Sequence, residues 1–553
     1  MTKVYEAMAE AFLAEGATHV FGMMGDANMH WMNAMAERGA EFFEARHEGS
    51  GLAMADGWAR GAGRPGVATT TSGPGVTQLA TSLVCASRAR TPLVVMCGEV
   101  GLGDTGAVQY LDQRRFAEAV ECGFVQVSSP SQAQSAVQRA FWLARTASRP
   151  VMVSAPTDIQ QQEYDGGFEY VTSTGLIDDA PRPADPERIR RAAEILAESE
   201  RVVVLVGKGA RSDDVGELVL QLQDKTGALL ATTLQVKNWL RDRTPYYAGI
   251  SGLYGTQTAH ELLQEADCLV AVGASLNHFT TEHGYLYPMA RVIHLDRADQ
   301  VVTGTGRPAD CYVRGDASES LRQLVAAVAA VPTGRGGTGY HTADVADRLR
   351  TADALSEPFH QEADRLDPRE VILALDELAP EELPLVLGSG HQTDFGTMLF
   401  TKPREIVSNY GLFGAIGQAP LLTMGWSLAR NRQPTFVVEG DASFIMHLAE
   451  FDTACRYGWP VLIVVMNDEA LGAEYHKSAA HGLAADLSAI PSPDLGSVAT
   501  AMGGSGATVR TIPELEKVVR EFLANPAPTV LDVRITREVL SVPYRRLWYA
   551  EEV

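Results

Sequence analysis

The sequence predicts an α/β protein built from three consecutive doubly wound parallel-sheet domains. The chain has 553 residues, enough for three large domains at roughly 150 residues or more each. Apolar runs typical of buried strands alternate with helical segments along nearly the whole chain, and this alternation favours parallel sheets covered by helices. Polar, Pro-rich or Gly-rich passages at 178–186 and 332–339 indicate linkers. We therefore expect domains at residues 1–177, 187–331 and 360–545.

Each predicted domain has its own series of strand candidates, identified as short apolar runs between turn residues. In chain order they are His19–Phe21, Phe42–Ala45, Val67–Thr70, Leu93–Met96 and Val151–Ser154, then Arg201–Val206, Leu229–Thr232, Cys268–Val272 and Val292–Leu295, then Leu385–Leu387, Thr435–Val438, Val461–Met466 and Thr529–Val533. The first and third domains have a similar size and a similar rhythm of strands and helices. We expect these two domains to have related folds.

Composition and charge limit the kinds of ligand that we expect the protein to bind and the cell compartment in which we expect it. The 69 acidic residues exceed the 46 Lys and Arg residues, giving a formal net charge of −23, which argues against nucleic-acid and membrane partners. A small anionic ligand stays compatible, because backbone N–H groups bind phosphate without Lys or Arg. The N-terminus does not have the pattern of a signal peptide, no apolar run is long enough to span a bilayer, and the six cysteines form no CxxC pair. We expect a cytoplasmic protein with reduced thiols.

One βαβ unit in the predicted third domain has polar residues at the carboxyl ends of both its strands. Gly440 and Asp441 follow the first strand and Asp468 follows the second, and ligands of open α/β sheets bind at such ends. Two carboxylates offer hard oxygen ligands to Mg²⁺, and the N–H groups of Ala442 and Ser443 begin a helix, a position suited to phosphate. The alternative interpretation of Asp441 is a plain helix N-cap.

The same residues resemble the cofactor signature of a known family. Gly440-Asp441-Ala442 and Asn467-Asp468 are similar to the GDG and NN motifs of the thiamine diphosphate-dependent enzymes of the acetolactate synthase, pyruvate decarboxylase and benzoylformate decarboxylase group. The resemblance implies thiamine diphosphate (ThDP, also called thiamine pyrophosphate) as the cofactor, held through Mg²⁺ or another divalent cation. It also implies the order of domains: pyrimidine-binding, central and diphosphate-binding.

The resemblance implies a specific set of metal ligands. They are the carboxylates of Asp441 and Asp468 and the backbone carbonyl of Ala470, with Leu471 beside the cofactor. Asp468 stands where the family has asparagine. This substitution keeps an oxygen ligand and adds a negative charge close to the diphosphate.

The predicted first domain contains a second group of matching motifs. The sequence RHE at 46–48, a helical segment and TSGPG at 71–75 resemble the acetolactate synthase pattern. The resemblance implies that Glu48 hydrogen-bonds N1′ of the aminopyrimidine, so that the 4′-nitrogen takes the proton from C2 of the thiazolium. A carboxyl group does this when it is largely desolvated. Ser72 and Gly73 are implied cofactor contacts, and the alternative for Glu48 is a solvated surface carboxylate.

Two further loops of the third domain match the family. In the loop at 411–417, Ile416 is implied to wedge between the two cofactor rings, and the carbonyl of Gly414 to hold the 4′-amino group. In the glycine-rich turn after the first strand of this domain, Gly390 and His391 are the implied diphosphate contacts.

The residues that select the substrate give a mixed pattern. Asp26 and Glu474 resemble active-site acids of pyruvate decarboxylases, whereas Gln109 matches an active-site glutamine of acetolactate synthases, and His476 is a further catalytic candidate. By alignment, Ser275 replaces the arginine that acetolactate synthase uses for its substrate carboxylate. FAD in the central domain, as in some relatives, is possible but not favoured.

The resemblance covers essentially the whole chain and implies C–C bond cleavage and formation on a 2-oxo acid or related carbonyl substrate. We favour an acetolactate synthase-like carboligase; the alternative is a non-oxidative 2-oxo acid decarboxylase that releases an aldehyde. A catalytically silent binding protein with the same fold is a hypothesis of another class. A nicotinamide-dependent oxidoreductase is disfavoured, because no strand is followed by a full GxGxxG. The family also implies a homodimer or homotetramer with active sites between subunits.

Overall fold

The computed structural model describes residues 2–167, 169–178, 180–298, 306–330, 338–352, 357–408 and 412–551. In this part of the chain three six-stranded sheets form, and all the strands paired within them are parallel. The predicted α/β class is therefore confirmed. Positions 179 and 332–337 of the expected linkers, and Gly411 of the 411–417 loop, lie outside the described residues.

The first sheet has the strand order β2-β1-β3-β4-β6-β5. Its strands are β1 (His19–Gly22), β2 (Glu41–Glu44), β3 (Gly66–Thr70), β4 (Leu93–Glu99), β5 (Gly123–Gln126) and β6 (Pro150–Pro156). The helices of this domain are α1 (Val4–Ala14), α2 (Met29–Glu37), α3 (Glu48–Ala62), α4 (Pro74–Thr77), α5 (Ala80–Arg88), α6 (Gln113–Ala119), α7 (Ala133–Ala147) and α8 (Thr157–Gln160). The inner strands β3, β4 and β6 are buried along almost their whole length, as expected for strands covered on both faces.

The central sheet has a different order, β12-β11-β10-β7-β8-β9. Its strands are β7 (Val202–Val206), β8 (Leu229–Thr232), β9 (Tyr247–Ile250), β10 (Cys268–Val272), β11 (Arg291–Asp296) and β12 (Cys311–Arg314). Its helices are α9 (Pro186–Glu198), α10 (Asp213–Thr226), α11 (Gln257–Gln264), α12 (His278–Thr281), α13 (Ala317–Ala330) and α14 (Ala343–Thr351). Numbered within the domain, this is the order 3-2-1-4-5-6 common among nucleotide-binding sheets.

The third sheet repeats the order of the first: β14-β13-β15-β16-β18-β17. Its strands are β13 (Leu385–Leu387), β14 (Ile406–Ser408), β15 (Thr435–Gly440), β16 (Val461–Asn467), β17 (Ser505–Val509) and β18 (Thr529–Arg534). The helices are α15 (Pro368–Leu378), α16 (His391–Leu399), α17 (Gln418–Ala429), α18 (Asp441–Met446), α19 (Ala449–Tyr457), α20 (Gly472–Ala480), α21 (Leu495–Ala501), α22 (Ile512–Ala524) and α23 (Val542–Tyr549). Numbered within each domain, both orders are 2-1-3-4-6-5, so the first and third domains have the related folds that the sequence predicts.

Five strands were not predicted from the sequence, and all five lie at the edges of their sheets. They are β5, β9, β12, β14 and β17. In β5, β9, β12 and β17, the buried residues do not form a continuous run, because half-buried or exposed residues lie among them or beside them. An edge strand is covered less completely than an inner strand, so it lacks the continuous apolar run on which the prediction depends.

The first and third domains pack together through α3 and α17, which approach at their backbones. A Cβ atom built on Gly57 of α3 would overlap the carbonyl oxygen of Leu422, and one built on Gly425 of α17 would overlap the carbonyl oxygen of Met54. Glycine at both positions therefore permits this close approach.

The structure also bears on the state of the cysteines and on membrane-spanning segments. The six cysteines are free thiols, and five of them are buried. Among the described residues, no helix combines the length and the apolar character needed to cross a membrane.

Candidate active site

A cleft of about 620 Å³ opens at the carboxyl edge of the third sheet. Arg88 of α5 and Phe279 of α12 reach its lining from the other two domains, and Tyr544 of α23 closes one side. The structure brings together here the sequence-predicted residues Gly390, Gly414, Ile416, Gly440, Asp441, Ala442, Ser443, Asp468, Ala470, Leu471 and Glu474.

Asp441 and Asp468 form the acidic centre of the cleft. Asp441 is the first residue of α18 and Asp468 follows β16, whose pairing with β15 aligns Gly440 with Met466 and so places both aspartates at one edge. Both carboxylates are buried. Burial raises the pKa of Asp441 to about 6, and burial together with the charge of Asp441 raises the pKa of Asp468 to about 7. Two repelling buried carboxylates are a suitable pair of ligands for a divalent cation.

The loop after Asp468 is shaped by backbone contacts. The N–H of Ala470 donates to Oδ1 of Asp468 at 3.0 Å. Ala470 also forms an antiparallel bridge with Ala489 through hydrogen bonds of its two neighbours, which leaves its own carbonyl out of the bridge. A Cβ on Gly472 would lie 2.5 Å from Oδ2 of Asp468, so glycine is needed there to leave room for the carboxylate.

A divalent cation fits the donors present only if backbone and cofactor oxygens complete its coordination. In the part of the chain that the structure describes, no group of three or more His, Cys, Asp or Glu side chains is placed to hold a metal ion. Two carboxylates plus one backbone carbonyl, completed by phosphate oxygens, is a usual arrangement for Mg²⁺. The arrangement of Asp441, Asp468 and Ala470 fits this requirement.

The turn after β13 supplies donors for a phosphate group. Gly390 has φ +134°, a conformation that favours glycine. It is the N-cap residue of α16, and no side chain caps the N–H groups of this helix. The hydroxyl of Ser389 is buried and has no hydrogen-bond partner among the described residues. A free helix N-terminus and an unpaired hydroxyl together suit a diphosphate. Ser389 and Gln392, which also lines the cleft, were not predicted, although both flank the predicted residues Gly390 and His391.

The imidazoles of His391 and His476 pack against each other and are not part of the cleft lining. Both are buried, with ring centroids 4.5 Å apart, and the ring of Tyr544 packs against them. Nε2 of His391 accepts a hydrogen bond from the N–H of Ser541 at 3.0 Å. Burial lowers the pKa of His476 to about 4 and that of His391 well below its usual value. These side chains pack behind the cleft lining, because the C-terminal helix covers them.

Glu48 and Asp26 lie at the carboxyl edge of the first sheet, outside this cleft. Glu48 is the first residue of α3 and is half-buried, and Asp26 is exposed in the loop after β1. The expectation of a largely desolvated Glu48 is therefore not met within a single chain.

The other predicted residues of the first domain are at the same edge. Ser72 donates its hydroxyl proton to Oε1 of Gln109 at 2.7 Å. A Cβ on Gly73 would lie 2.6 Å from the carbonyl oxygen of Gln109, so the 71–75 turn packs directly on the loop that carries this glutamine. Gln109 itself is exposed.

Glu474 and Ser275, the remaining two substrate candidates, are both exposed, and only Glu474 lines the cleft. Oε1 of Glu474 accepts a hydrogen bond from Nζ of Lys477 at 3.2 Å. Ser275, which replaces the synthase arginine, is exposed after β10. The central domain contributes the side chain of Phe279 to the lining instead.

Family models and known proteins are similar to this chain along most of its length. Residues 2–122 match the N-terminal TPP-binding domain of thiamine pyrophosphate enzymes, residues 189–324 the central domain, and residues 390–533 the C-terminal TPP-binding domain. A probable acetolactate synthase large subunit from Methanocaldococcus jannaschii is 28% identical and aligns with 96% of this chain and 91% of that protein. A sulfoacetaldehyde acetyltransferase from Castellaniella defragrans is 27% identical, over 98% of this chain and 94% of that protein.

The three family models lie in the order of the three sheets, and both relatives align with this chain over more than nine-tenths of their own length. The chain therefore belongs to the thiamine pyrophosphate enzymes, in the group that includes acetolactate synthase.

Proposed function

We propose that the protein is a Mg²⁺- and ThDP-dependent carboligase, which cleaves a C–C bond of a 2-oxo acid or related carbonyl substrate and joins the fragment to a second carbonyl compound. The main support is the cleft itself, where two buried carboxylates, a glycine turn and an unpaired hydroxyl stand together. The relatives named above are a synthase and an acetyltransferase, which supports a joining reaction over simple decarboxylation.

Each part of the site has a separate task in this proposal. Asp441, Asp468 and the carbonyl of Ala470 hold the divalent cation, and the turn at Ser389 receives the diphosphate. When bound, ThDP supplies a nucleophilic carbon and an electron sink for the carbanion that C–C cleavage leaves. Glu48 would bind the aminopyrimidine ring through N1′ and would supply the acid–base chemistry that activates the cofactor.

The active unit in this proposal is a homodimer or a larger homo-oligomer. Glu48 is not among the residues that line the cleft around Asp441 in one chain, and in this proposal a second chain supplies it. Exposed apolar side chains at both places support this assembly. Val108 and Tyr110 are exposed in the loop that packs on the 71–75 turn, and Phe413 and Met446 are exposed in or beside the cleft. Burying such side chains stabilises an interface.

Non-oxidative decarboxylation of a 2-oxo acid is the second candidate. It is supported by Glu474, whose carboxyl group lines the cleft and would serve as a general acid. Asp26 is exposed at the edge of the first sheet and does not line the cleft of its own chain, so in this proposal it acts on the substrate of a neighbouring subunit.

A panel of 2-oxo acids, tested with and without acceptor aldehydes, distinguishes the two candidates. Purified protein with ThDP and Mg²⁺ is scored for CO₂ release and for product mass. A carboligase gives a product whose mass combines donor fragment and acceptor, whereas a decarboxylase gives the free aldehyde even when an acceptor is present. If no substrate in the panel reacts although ThDP binds in the presence of Mg²⁺, both candidates are contradicted.

A further inference from the structure

The residue between the two implied metal ligands has an unusual backbone conformation. Glu469 follows Asp468 and precedes Ala470, and its φ is +57°. This left-handed conformation is unfavourable for residues that carry a Cβ atom. Glycine would adopt it at no steric cost, so the presence of glutamate calls for a role of its side chain.

The side chain of Glu469 is held by two arginines from distant parts of the chain. Nη2 of Arg365 donates to Oε2 at 2.5 Å, and Nη1 of Arg534 lies 3.2 Å from Oε1. Arg365 is itself fixed, because its Nη1 donates to the carbonyl of Ile535 at 3.0 Å. The three charged side chains are at most one-quarter exposed. Charge-assisted hydrogen bonds in partly buried positions are stronger than those on an open surface.

Arg534 connects this pair to the rest of the acidic centre. Its Nη2 donates to Oδ2 of Asp532 at 3.0 Å and to the carbonyl of Pro493 at 2.9 Å. Asp532 is fully buried and accepts a hydrogen bond from Nδ2 of Asn467, the residue before Asp468, at 2.7 Å.

The same arginine also reaches the other carboxylate indirectly. Ser492, the residue before Pro493, donates its hydroxyl proton to Oδ2 of Asp441. Four side chains therefore form a network beside Asp441 and Asp468, the two proposed metal ligands, and neither ligand is part of it. The members of the network are Glu469, Arg365, Arg534 and Asp532.

We propose that this network is a positioning device for the divalent cation, and that Glu469 is its key positioning residue. This inference rests on the proposed metal site. Glu469 fixes the backbone of its loop, so that the carboxylate of Asp468 and the carbonyl of Ala470 are aimed at the cation before it binds. Groups that orient ligands from outside the coordination sphere contribute strongly to metal affinity.

Two substitutions separate the role of the side chain from that of the backbone. Glu469→Ala removes the ion pairs and keeps the unfavourable φ, whereas Glu469→Gly removes the ion pairs and relieves the backbone. For both variants we expect the affinity for Mg²⁺, measured by calorimetry in the presence of ThDP, to fall by about 10- to 100-fold. Thermal unfolding of the metal-free protein should show the Gly variant to be at least as stable as the Ala variant.

A matched control is available on the same arginine. Glu362 lies 3.5 Å from Nε of Arg365, and in the described part of the chain it forms no hydrogen bond or ion pair with the loop at 468–472. Glu362→Ala removes a carboxylate from Arg365 and should leave the Mg²⁺ affinity unchanged. Glu469→Gln, which keeps the shape and loses the charge, should have an affinity between those of the wild type and the Ala variant.

Three outcomes decide the question. Reduced Mg²⁺ affinity in both Glu469 variants, with a normal Glu362→Ala control, supports the positioning role. Wild-type affinity in Glu469→Gly overturns it, because the loop would then need only its backbone conformation. If wild-type protein binds ThDP equally well after chelation of all divalent ions, the proposed metal site is wrong and this inference falls with it.

Discussion

The carbonyl oxygen of Leu422 in α17 lies directly against the Cα atom of Gly57 in α3. Gly425, three residues after Leu422, has the same relationship to Met54, three residues before Gly57. The two helices follow the second strand of their respective domains. The contact between the first and third domains therefore has an approximate two-fold symmetry, in which equivalent helices pack through equivalent glycines.

Gly57→Ala should destabilise the protein. The new methyl group would overlap main-chain atoms, which cannot rotate away, so the two helices would have to separate. We expect the free energy of unfolding to fall by about 2 kcal/mol, a typical cost of overpacking, even though alanine favours the helix. The midpoint of unfolding in urea measures this change.

Gly216→Ala is the matched control, since Gly216 is also a buried helical glycine. Its nearest neighbour is the flexible end of Leu240 at 3.3 Å rather than main chain. We expect this variant to be as stable as the wild type or slightly more stable. Equal effects of the two substitutions would contradict the importance of the backbone contact.

Gly472→Ala should weaken cation binding and leave the fold intact. The Cβ atom would lie 2.5 Å from Oδ2 of Asp468 and would push this carboxylate out of position. A displaced ligand typically reduces metal affinity by about tenfold or more. A titration of ThDP binding with Mg²⁺ should therefore shift to higher Mg²⁺ concentration, while the thermal midpoint of the metal-free protein stays close to that of the wild type. The exposed position Ala479 on the same helix provides a control, and Ala479→Ser should titrate normally.

Glu48→Gln should abolish most of the turnover without preventing cofactor binding. The amide cannot exchange a proton with the bound aminopyrimidine ring, so activation of the cofactor would be slow. A loss of about 100- to 10,000-fold in kcat is typical for a group in proton transfer. Turnover with saturating ThDP is compared with that of Glu44→Gln, which makes the same change of charge at an exposed residue four positions earlier. Full turnover in the Glu48 variant would refute the assignment.

Co-expression of two inactive chains should restore activity if the site lies between subunits. Glu48→Gln and Asp441→Asn each remove one half of a site, so each homo-oligomer should be inactive. In mixed dimers, one of the two sites combines Glu48 of one chain with Asp441 of the other. Random mixing should therefore restore about a quarter of the wild-type activity. No recovery in a mixture that is shown to contain mixed dimers would place both residues in a site within one chain.

The sequence predicts the acidic centre well because local patterns determine it. Asp441 and Asp468 follow two continuous apolar runs, which become the inner strands β15 and β16. The carboxyl ends of neighbouring parallel strands meet at one edge, so the two aspartates had to lie close together.

Other features of the site depend on contacts between distant residues, which no local pattern contains. Glu469 is paired with Arg365 and Arg534, which are 104 and 65 residues away in the chain. In the same way, His391 is implied as a diphosphate contact and His476 as a catalytic candidate, but the segment of Ser541 and Tyr544 folds back over them and buries both rings.

The contact of α3 with α17 limits how the enzyme can exclude water from its substrate. Shear between domains proceeds by small sliding movements of packed helices, and here main chain lies on main chain, which leaves little room for such movements. Closure of the first domain onto the third is therefore unfavourable within one chain. Shielding of the cleft must come from movements of individual loops, or from the surface of a neighbouring subunit.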